Sequence, residues 1–340
     1  MTDIFKDTIA LLAEKKNLPR EQAVRAFQVL MNGGATPAQM AALLMGLRLK
    51  GETVDEITAG AVVMRAKATR IHTPAGCIDT CGTGGDAKGS VNISTAVAFV
   101  LAACGLPVAK HGNRSVTSQS GSADVLAALG VKIDAEVAVL ERCLRECNIA
   151  FLMAPRFHPA MRHVAPIRQE LGIRSIFNLL GPLSNPAAPA FQLLGVYHAS
   201  LLLPMAEALR ELGTQAAWVV CGADGFDELS ISGPSHVACL KDGQITQFEI
   251  TPQQAGLPQH PAEALKGGDA EHNAQALRHA LSGMESPHRD AVLLNAAAGL
   301  VIAGKADDLA HGVAQAREAI DSGRAHSLLQ KLILLSHEKA

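Results

Sequence analysis

From Cys77 onward the sequence repeats one unit: a short apolar run, a turn marked by glycine, and a helix of apolar periodicity. That rhythm restricts the fold severely, because neighbouring parallel strands need a long crossover between them and a helix supplies it compactly. Strands are expected near Ile78 to Thr80, Val108 to Lys110, Ile149 to Met153, Leu193 to Tyr197 and Ala216 to Cys221. Helices are expected between them at Ser94 to Cys104, Ser122 to Leu129, Ala135 to Cys147 and Leu201 to Leu212, with Gly105, Gly130 and Gly213 ending three of them. An Asp242-Gly243 turn then signals a hairpin, and a helical run follows from Asp269 to Glu338.

The first seventy or so residues read instead as successive helices. Thr36-Pro37-Ala38-Gln39 and Thr53-Val54-Asp55-Glu56 fit the capping box, and Gly33-Gly34 and Gly51 stand where helices end. Between Pro155 and Pro189 two more helical segments, His158 to Glu170 and Arg174 to Leu180, interrupt the strands and close at Gly181-Pro182-Leu183-Ser184-Asn185-Pro186. They are expected to pack back on the N-terminal helices. The fold class is therefore α/β, with a small all-helical domain and a large domain built on a mostly parallel sheet. The first comprises residues 1–72 joined by helices in 160–189, the second residues 73–159 and 190–340.

A chain of 340 residues, 48% apolar, can bury a large core. Its formal net charge of −2 gives no basic field to draw it to nucleic acid, and a single Trp (Trp218) and a single Tyr (Tyr197) offer little stacking surface. Charges interrupt every apolar run short of the ~18 residues that a membrane span needs. Neither nucleic acid nor membrane is expected as a partner. Seven Cys and an amphipathic start at Met1 to Lys6 point to free thiols and a cytoplasmic protein, and the Cys77/Cys81 and Cys143/Cys147 spacings are wider than a zinc knuckle.

The chemistry concentrates between Asp79 and Asp124. Gly82-Thr83-Gly84-Gly85-Asp86 and Lys110-His111-Gly112-Asn113-Arg114 bracket an apolar helix opened by Asn92-Ile93-Ser94-Thr95. Backbone amides freed by glycine, hydroxyls at a helix start and a lysine are the groups that anchor phosphate oxygens. Taken singly, the first loop is as well explained by a tight turn, and Asn92 to Thr95 is better explained by N-capping. Both loops leave the carboxyl ends of successive strands, where open α/β sheets bind ligands, and this favours the phosphate reading. Asp86 would repel a phosphate, so a ribose hydroxyl or a metal-bound water suits it better. Arg168 and Arg174 offer forks for a carboxylate, His158 and His163 stand at a helix start, and Asp227-Glu228 is a candidate Mg²⁺ pair.

In order along the chain, Gly82 to Asp86, Asn92 to Thr95, Lys110 to Arg114, Gly121-Ser122-Ala123-Asp124, Arg168-Gln169-Glu170-Leu171-Gly172, Phe177-Asn178-Leu179-Leu180-Gly181-Pro182-Leu183 and Asp227-Glu228-Leu229-Ser230 resemble the motif series of the anthranilate phosphoribosyltransferases. Thr36-Pro37-Ala38-Gln39-Met40 and Leu47 to Thr53 extend the resemblance to nearly the full length. It implies an active site in the cleft between the two domains and a homodimer formed through the helical domain. The implied reaction moves the phosphoribosyl group of phosphoribosyl pyrophosphate (PRPP) to the amine of anthranilate, a step of tryptophan biosynthesis. The resemblance implies PRPP contacts at Gly82, Gly85, Asp86, Ser90, Asn92, Ile93, Ser94, Thr95, Lys110, His111, Gly112, Asn113, Arg114, Ser118 and Ser122. Anthranilate contacts are implied at Gly82, His111, Asn113, His158, Arg168 and Pro182. One or two Mg²⁺ ions are implied at Ser94, Asp227 and Glu228, and His111 is the one candidate for a catalytic side chain. Ala87 stands where the family often has glycine, and Cys221 where it often has histidine. Two rivals share the scaffold: a pyrimidine nucleoside phosphorylase, and a non-catalytic nucleic-acid binder with a basic surface and a broken first loop.

Overall fold

The computed structural model of the chain describes residues 4–84, 89, 91–115 and 119–339. Gly85, Asp86, Ser90 and Ser118 lie outside the described residues. Four helices come first, α1 (Ile4–Ala13), α2 (Arg20–Met31), α3 (Pro37–Lys50) and α4 (Val54–Lys67). Both expected capping boxes form, at Thr36 with Gln39 and at Thr53 with Glu56. Glu56 is wholly buried and also takes the Leu18 N–H and the Lys50 ammonium, each at 2.9 Å, so the acid that caps α4 ties it to α3 and to the loop between α1 and α2.

Then follow β1 (Ile78–Gly82), α5 (Ile93–Ala103), β2 (Val108–Gly112), α6 (Ser122–Ala128), α7 (Val137–Cys147) and β3 (Ile149–Met153). The interrupting segment holds α8 (Ala154–Phe157), a 3₁₀ turn at Pro159–His163, α9 (Ala165–Leu171) and α10 (Ile176–Leu183). The helix expected over His158 to Glu170 is thus two pieces, because Pro159 and Pro166 each lack the N–H that would carry one helix through. The expected stop at Gly181-Pro182 is also displaced. Pro182 sits in the last turn of α10, where it removes only one helical bond.

The sheet resumes with β4 (Phe191–Gly195), α11 (Leu202–Glu211), β5 (Ala216–Gly222), β6 (Ser235–Lys241) and β7 (Gln244–Ile250). Four helices complete the fold: α12 (Ala270–Leu281), α13 (Pro287–Ile302), α14 (Leu309–Asp321) and α15 (Arg324–Ser336). Strand order is β3-β2-β1-β4-β5-β6-β7, parallel through β5 and antiparallel across the final hairpin. Asp242 and Gly243 both take positive φ, 51° and 75°, as a two-residue hairpin turn of matching twist requires.

Alternating side chains feed two cores. Trp218 and Val220 join α5, α7 and α12 to α15 on one face, while Leu194, Val219 and Cys221 join α1 to α4, α10 and α11 on the other. On that second face α3 packs against α9, and α4 against α10 and α11, so the interrupting helices do return to the N-terminal ones. The chain leaves β1 toward β2 and β3, then returns to β1's other side to lay down β4. Crossovers run in opposite directions from this point, which opens a crevice beyond the carboxyl ends of β1 and β4. No helix of the described residues is long and apolar enough to cross a membrane.

Candidate functional site

Strands β1 and β4 end in Gly82 and Gly195, directly paired. Asp227, on the segment after β5, fills the space that their missing side chains leave. A Cβ on Gly82 would lie 2.3 Å from the Asp227 Oδ2, and one on Gly195 would lie 1.5 Å from its carbonyl oxygen. These glycines serve close approach of the acidic segment, not a positive φ. The Asp227 carboxylate accepts the Gly84 N–H at 2.8 Å, and Glu228 accepts the Ser94 N–H at 3.2 Å. Two adjacent acids thereby reach the first glycine loop and the first turn of α5.

Behind them, Asn295 of α13 is wholly buried. Its Oδ1 accepts the Leu229 N–H at 3.0 Å and its amide donates to the Leu229 carbonyl at 3.0 Å. Asp224 anchors the same segment through the hydroxyls of Ser230, at 2.5 Å, and Ser232. Lys110, at the end of β2 and only 3% exposed, donates to the Thr80 carbonyl at 2.5 Å and to the Ser94 hydroxyl at 3.1 Å. Burial lowers its pKa, while Asp79, Cys81 and Glu228 oppose the shift. Burial pushes Asp79 up to about 6, against Lys110, the Asn185 amide at 2.8 Å and the His111 N–H at 3.2 Å. The carboxyl is therefore mainly ionised at neutral pH beside the lysine.

The second loop is organised by Asp124. Burial works to raise this carboxyl, but hydrogen bonds from the Ser115 N–H at 3.0 Å, the Gly121 N–H at 2.9 Å and Arg114 at 2.8 Å bring it below its ordinary range. Arg114 is engaged there. Asn113 presents its carbonyl to the Ala123 N–H and to the Ser122 hydroxyl, the latter at 3.4 Å. Asn92 makes no capping bond to α5, which removes the simple capping reading, and its Oδ1 instead accepts from Asn273 at 3.0 Å. The buried hydroxyls of Thr83 and Thr95 have no hydrogen-bond partner among the described residues.

A different chemistry lies around His111 and His158. Their rings meet edge to face, 5.1 Å apart, and each bonds to the backbone of α10 or its end, at Gly181 and Ser184 respectively. Burial, with His158 adding to it, pushes His111 down to about 3, and burial pushes His158 down to about 4. Both rings are neutral at pH 7, and both Nε2 atoms are buried without a partner among the described residues. Arg168 of α9 lies 5.4 Å from the Phe177 ring centre, and its Nε also has no partner there. Burial lowers its pKa with no acid opposing the shift. A desolvated guanidinium lacking a counter-charge is the fork that a ligand carboxylate completes.

Two candidates fall elsewhere. His163 packs on Gly33 at the end of α2 and lines a separate cavity of about 290 Å³ with Met31, Asn32, Lys67 and Arg162. Arg174 stacks on Tyr197 at 4.4 Å. Sequence reasoning passed over Asp79, Asn185, Asn273 and Asn295. Asn295 had a legible signal, a polar amide inside the otherwise apolar run Ala291 to Leu300.

A family model described as the helical bundle domain of a glycosyl transferase family matches residues 6–68, and its a/b-domain counterpart matches residues 75–326. The anthranilate phosphoribosyltransferase of Rhodopseudomonas palustris is 56% identical over 332 residues, 98% of each chain. The crystal structure of the same enzyme from Thermus thermophilus superposes with a TM-score of 0.92 at 44% identity, covering 98% of this chain and 100% of that one. The Saccharomyces cerevisiae enzyme in complex with PRPP and Mg superposes with a TM-score of 0.90 at 27% identity, over 99% and 98%. Near-complete coverage in both halves leaves neither the helical bundle nor the switch-point site to another lineage, and the chain belongs to the anthranilate phosphoribosyltransferases of this glycosyl transferase family.

Proposed function

We propose that this chain transfers the phosphoribosyl group of PRPP to the amine of anthranilate, giving N-(5-phosphoribosyl)anthranilate and pyrophosphate in tryptophan biosynthesis. One observation carries the assignment of ends: acids, lysine and hydroxyls gather at the switch point, whereas Arg168 stands desolvated without an acid. The first set suits the pyrophosphate and sugar, the second the carboxylate of the aromatic acceptor.

PRPP lies, on this reading, against Gly82, Asn92 to Thr95, Lys110 to Arg114 and Ser122, with Gly85, Asp86, Ser90 and Ser118 completing the contacts. The donor set also fits Mg²⁺. Glu228 accepts the Ser94 N–H, Asp227 is its neighbour in the chain, and the Ser94 hydroxyl stands on the same residue, a set of two acids and a hydroxyl. That composition suits a hard cation that takes its other ligands from substrate phosphate and water. Held by Asp227, Glu228 and Ser94, one or two Mg²⁺ ions would supply charge neutralisation for the pyrophosphate. Lys110 and the loop amides add to that neutralisation, so no strong general acid is needed. Arg168 fixes the anthranilate carboxylate, while Gly82, Asn113, Pro182 and the two neutral histidines bound its ring and amine. His111, uncharged at neutral pH, can accept a hydrogen bond from the attacking amine through Nε2. Most of the rate comes from orientation in a site assembled from both halves of the chain.

The helical bundle, residues 1–72 with helices from 160–189, forms on this reading one wall of the cleft and the interface of a cytoplasmic homodimer. Mixing the protein with anthranilate, Mg²⁺ and PRPP is expected to quench anthranilate fluorescence with time, and omission of PRPP is expected to abolish the change. Constant fluorescence in the complete mixture at high protein concentration would overturn the proposal.

A further inference from the structure

Both phosphate-side loops rest on one short C-terminal segment that the reaction itself does not call for. The Val91 N–H donates to the Leu265 carbonyl at 3.1 Å, and the Gly267 N–H donates to the Gly89 carbonyl at 2.7 Å, so residues 265–267 hold the end of the first loop. Just beyond them, Asn273 in the first turn of α12 is 2% exposed. Its Oδ1 accepts the Gly268 N–H at 2.8 Å, and its amide nitrogen donates to the Asn92 Oδ1 at 3.0 Å and to the Ser120 hydroxyl at 2.8 Å. Ser120 also donates to the Asn92 Oδ1, at 3.4 Å, which closes a three-membered ring of hydrogen bonds. Asn92 stands immediately before α5, and Ser120 stands two residues before α6, next to its N-cap Gly121. One buried amide therefore spans the starts of the two helices whose preceding loops face the crevice.

We infer that Asn273 is a positioning residue for PRPP, one that sets the spacing of Asn92 and the second loop without itself reaching the ligand. The inference rests on the PRPP site proposed above. A ligand gripped between two loops binds best when their separation is fixed beforehand, because ordering done in the free protein is not charged to binding. A carboxamide suits the task. It gives two donor hydrogens to two different acceptors and still accepts from the backbone of its own segment. An aspartate in its place keeps the acceptor and the shape but loses both donors, and it sets a negative charge against the Asn92 oxygen.

Steady-state kinetics of the full-length protein at saturating Mg²⁺ test the idea. Asn273→Asp and Asn273→Ala are expected to raise the KM for PRPP about tenfold, with the KM for anthranilate changed less than twofold. Ser120→Ala is expected to raise it about threefold, and the double variant Asn273→Ala/Ser120→Ala to be no worse than Asn273→Ala alone, because the two changes break one network. If a position 273 variant fails to fold, Ser120→Ala carries the test by itself. A fall in kcat or thermal stability with the PRPP KM unmoved, or an equal rise in both KM values, would overturn the inference and assign Asn273 a purely structural part. If the wild-type protein consumes no anthranilate, the underlying functional reading fails instead, so the two failures are distinguishable.

Discussion

At the switch point, charges meet partners inside the protein: Asp227 takes the Gly84 N–H, Glu228 the Ser94 N–H, and Lys110 the Ser94 hydroxyl. Around α9 and α10 the reverse holds, since Arg168, His111 and His158 each bury a nitrogen with no partner among the described residues. The first region is preorganised by hydrogen bonds that, on the proposed reading, a phosphate ligand borrows. The second is held by packing and by backbone hydrogen bonds to the two histidines, and its unpartnered polar atoms cost the free protein; on the proposed reading a ligand supplies their partners. Substitutions should therefore lower both stability and activity at the switch point, but separate the two around Arg168.

Gly195→Ala attacks the first region most directly, since its Cβ would meet the Asp227 carbonyl at 1.5 Å and must move the acid segment. Activity is expected to fall by about 100-fold or more, with a lower thermal midpoint. Activity within threefold of wild type would show that the acid pair tolerates displacement, and the comparison would lose one side. Arg168→Ala comes next. The KM for anthranilate is expected to rise about 10- to 100-fold with the KM for PRPP nearly constant, while the unfolding midpoint stays level or rises because an uncompensated cation has gone. Equal losses for both substrates would break the assignment of ends.

Asp227→Asn combined with Glu228→Gln is expected to raise the Mg²⁺ concentration for half-maximal rate by about tenfold, read from a metal titration at fixed PRPP. An unchanged titration would remove the metal from these acids. The smallest effect concerns pH. His111 and His158 titrate at about 3 and about 4 in the folded protein, below the 6.5 of a free histidine, so the unfolded chain binds more protons in between. Their contribution to stability is present above pH 6.5 and is lost as pH falls from there toward 4. The loss approaches ~1.4 kcal/mol per pH unit for each proton. In urea titrations across that window His158→Gln should show a shallower decline than wild type, and parallel curves would show that His158 does not carry it.

Much of this was legible because it depends on neighbours in the chain. The capping boxes at Thr36 and Thr53, the Asp242-Gly243 turn and the strands at Ile78 to Thr80 and Val108 to Lys110 follow from local spacing, and the structure reproduces them, with each strand running two residues further, to Gly82 and Gly112. The helix over His158 to Glu170 was misread because apolar periodicity masked two prolines, whose effect on backbone bonding outweighs it. The candidate His163 shared its motif with His158 but not its place, since the 3₁₀ turn between them rotates it to a cavity beside Gly33. Asp79 and Asn273 were passed over because a lone Asp in a strand or Asn in a helix has no distinctive spacing. Each acquires meaning only through Lys110 and Asn185, or through Asn92 and Ser120.

By itself the sequence determined the order of strands, turns and helices, and with it a mostly parallel sheet whose carboxyl edge carries the glycine loops. Periodicity and the backbone freedom of glycine act over a few residues, so they can be read without coordinates. Only the tertiary structure decided which acids face those loops and that the Arg168 Nε is buried without a hydrogen-bond partner among the described residues. Gly84 and Asp227 are 143 residues apart in the chain, and their meeting depends on the absence of a Cβ at Gly82 and Gly195. The unpartnered Nε of Arg168 among the described residues is likewise a property of everything packed around it, which no local pattern encodes.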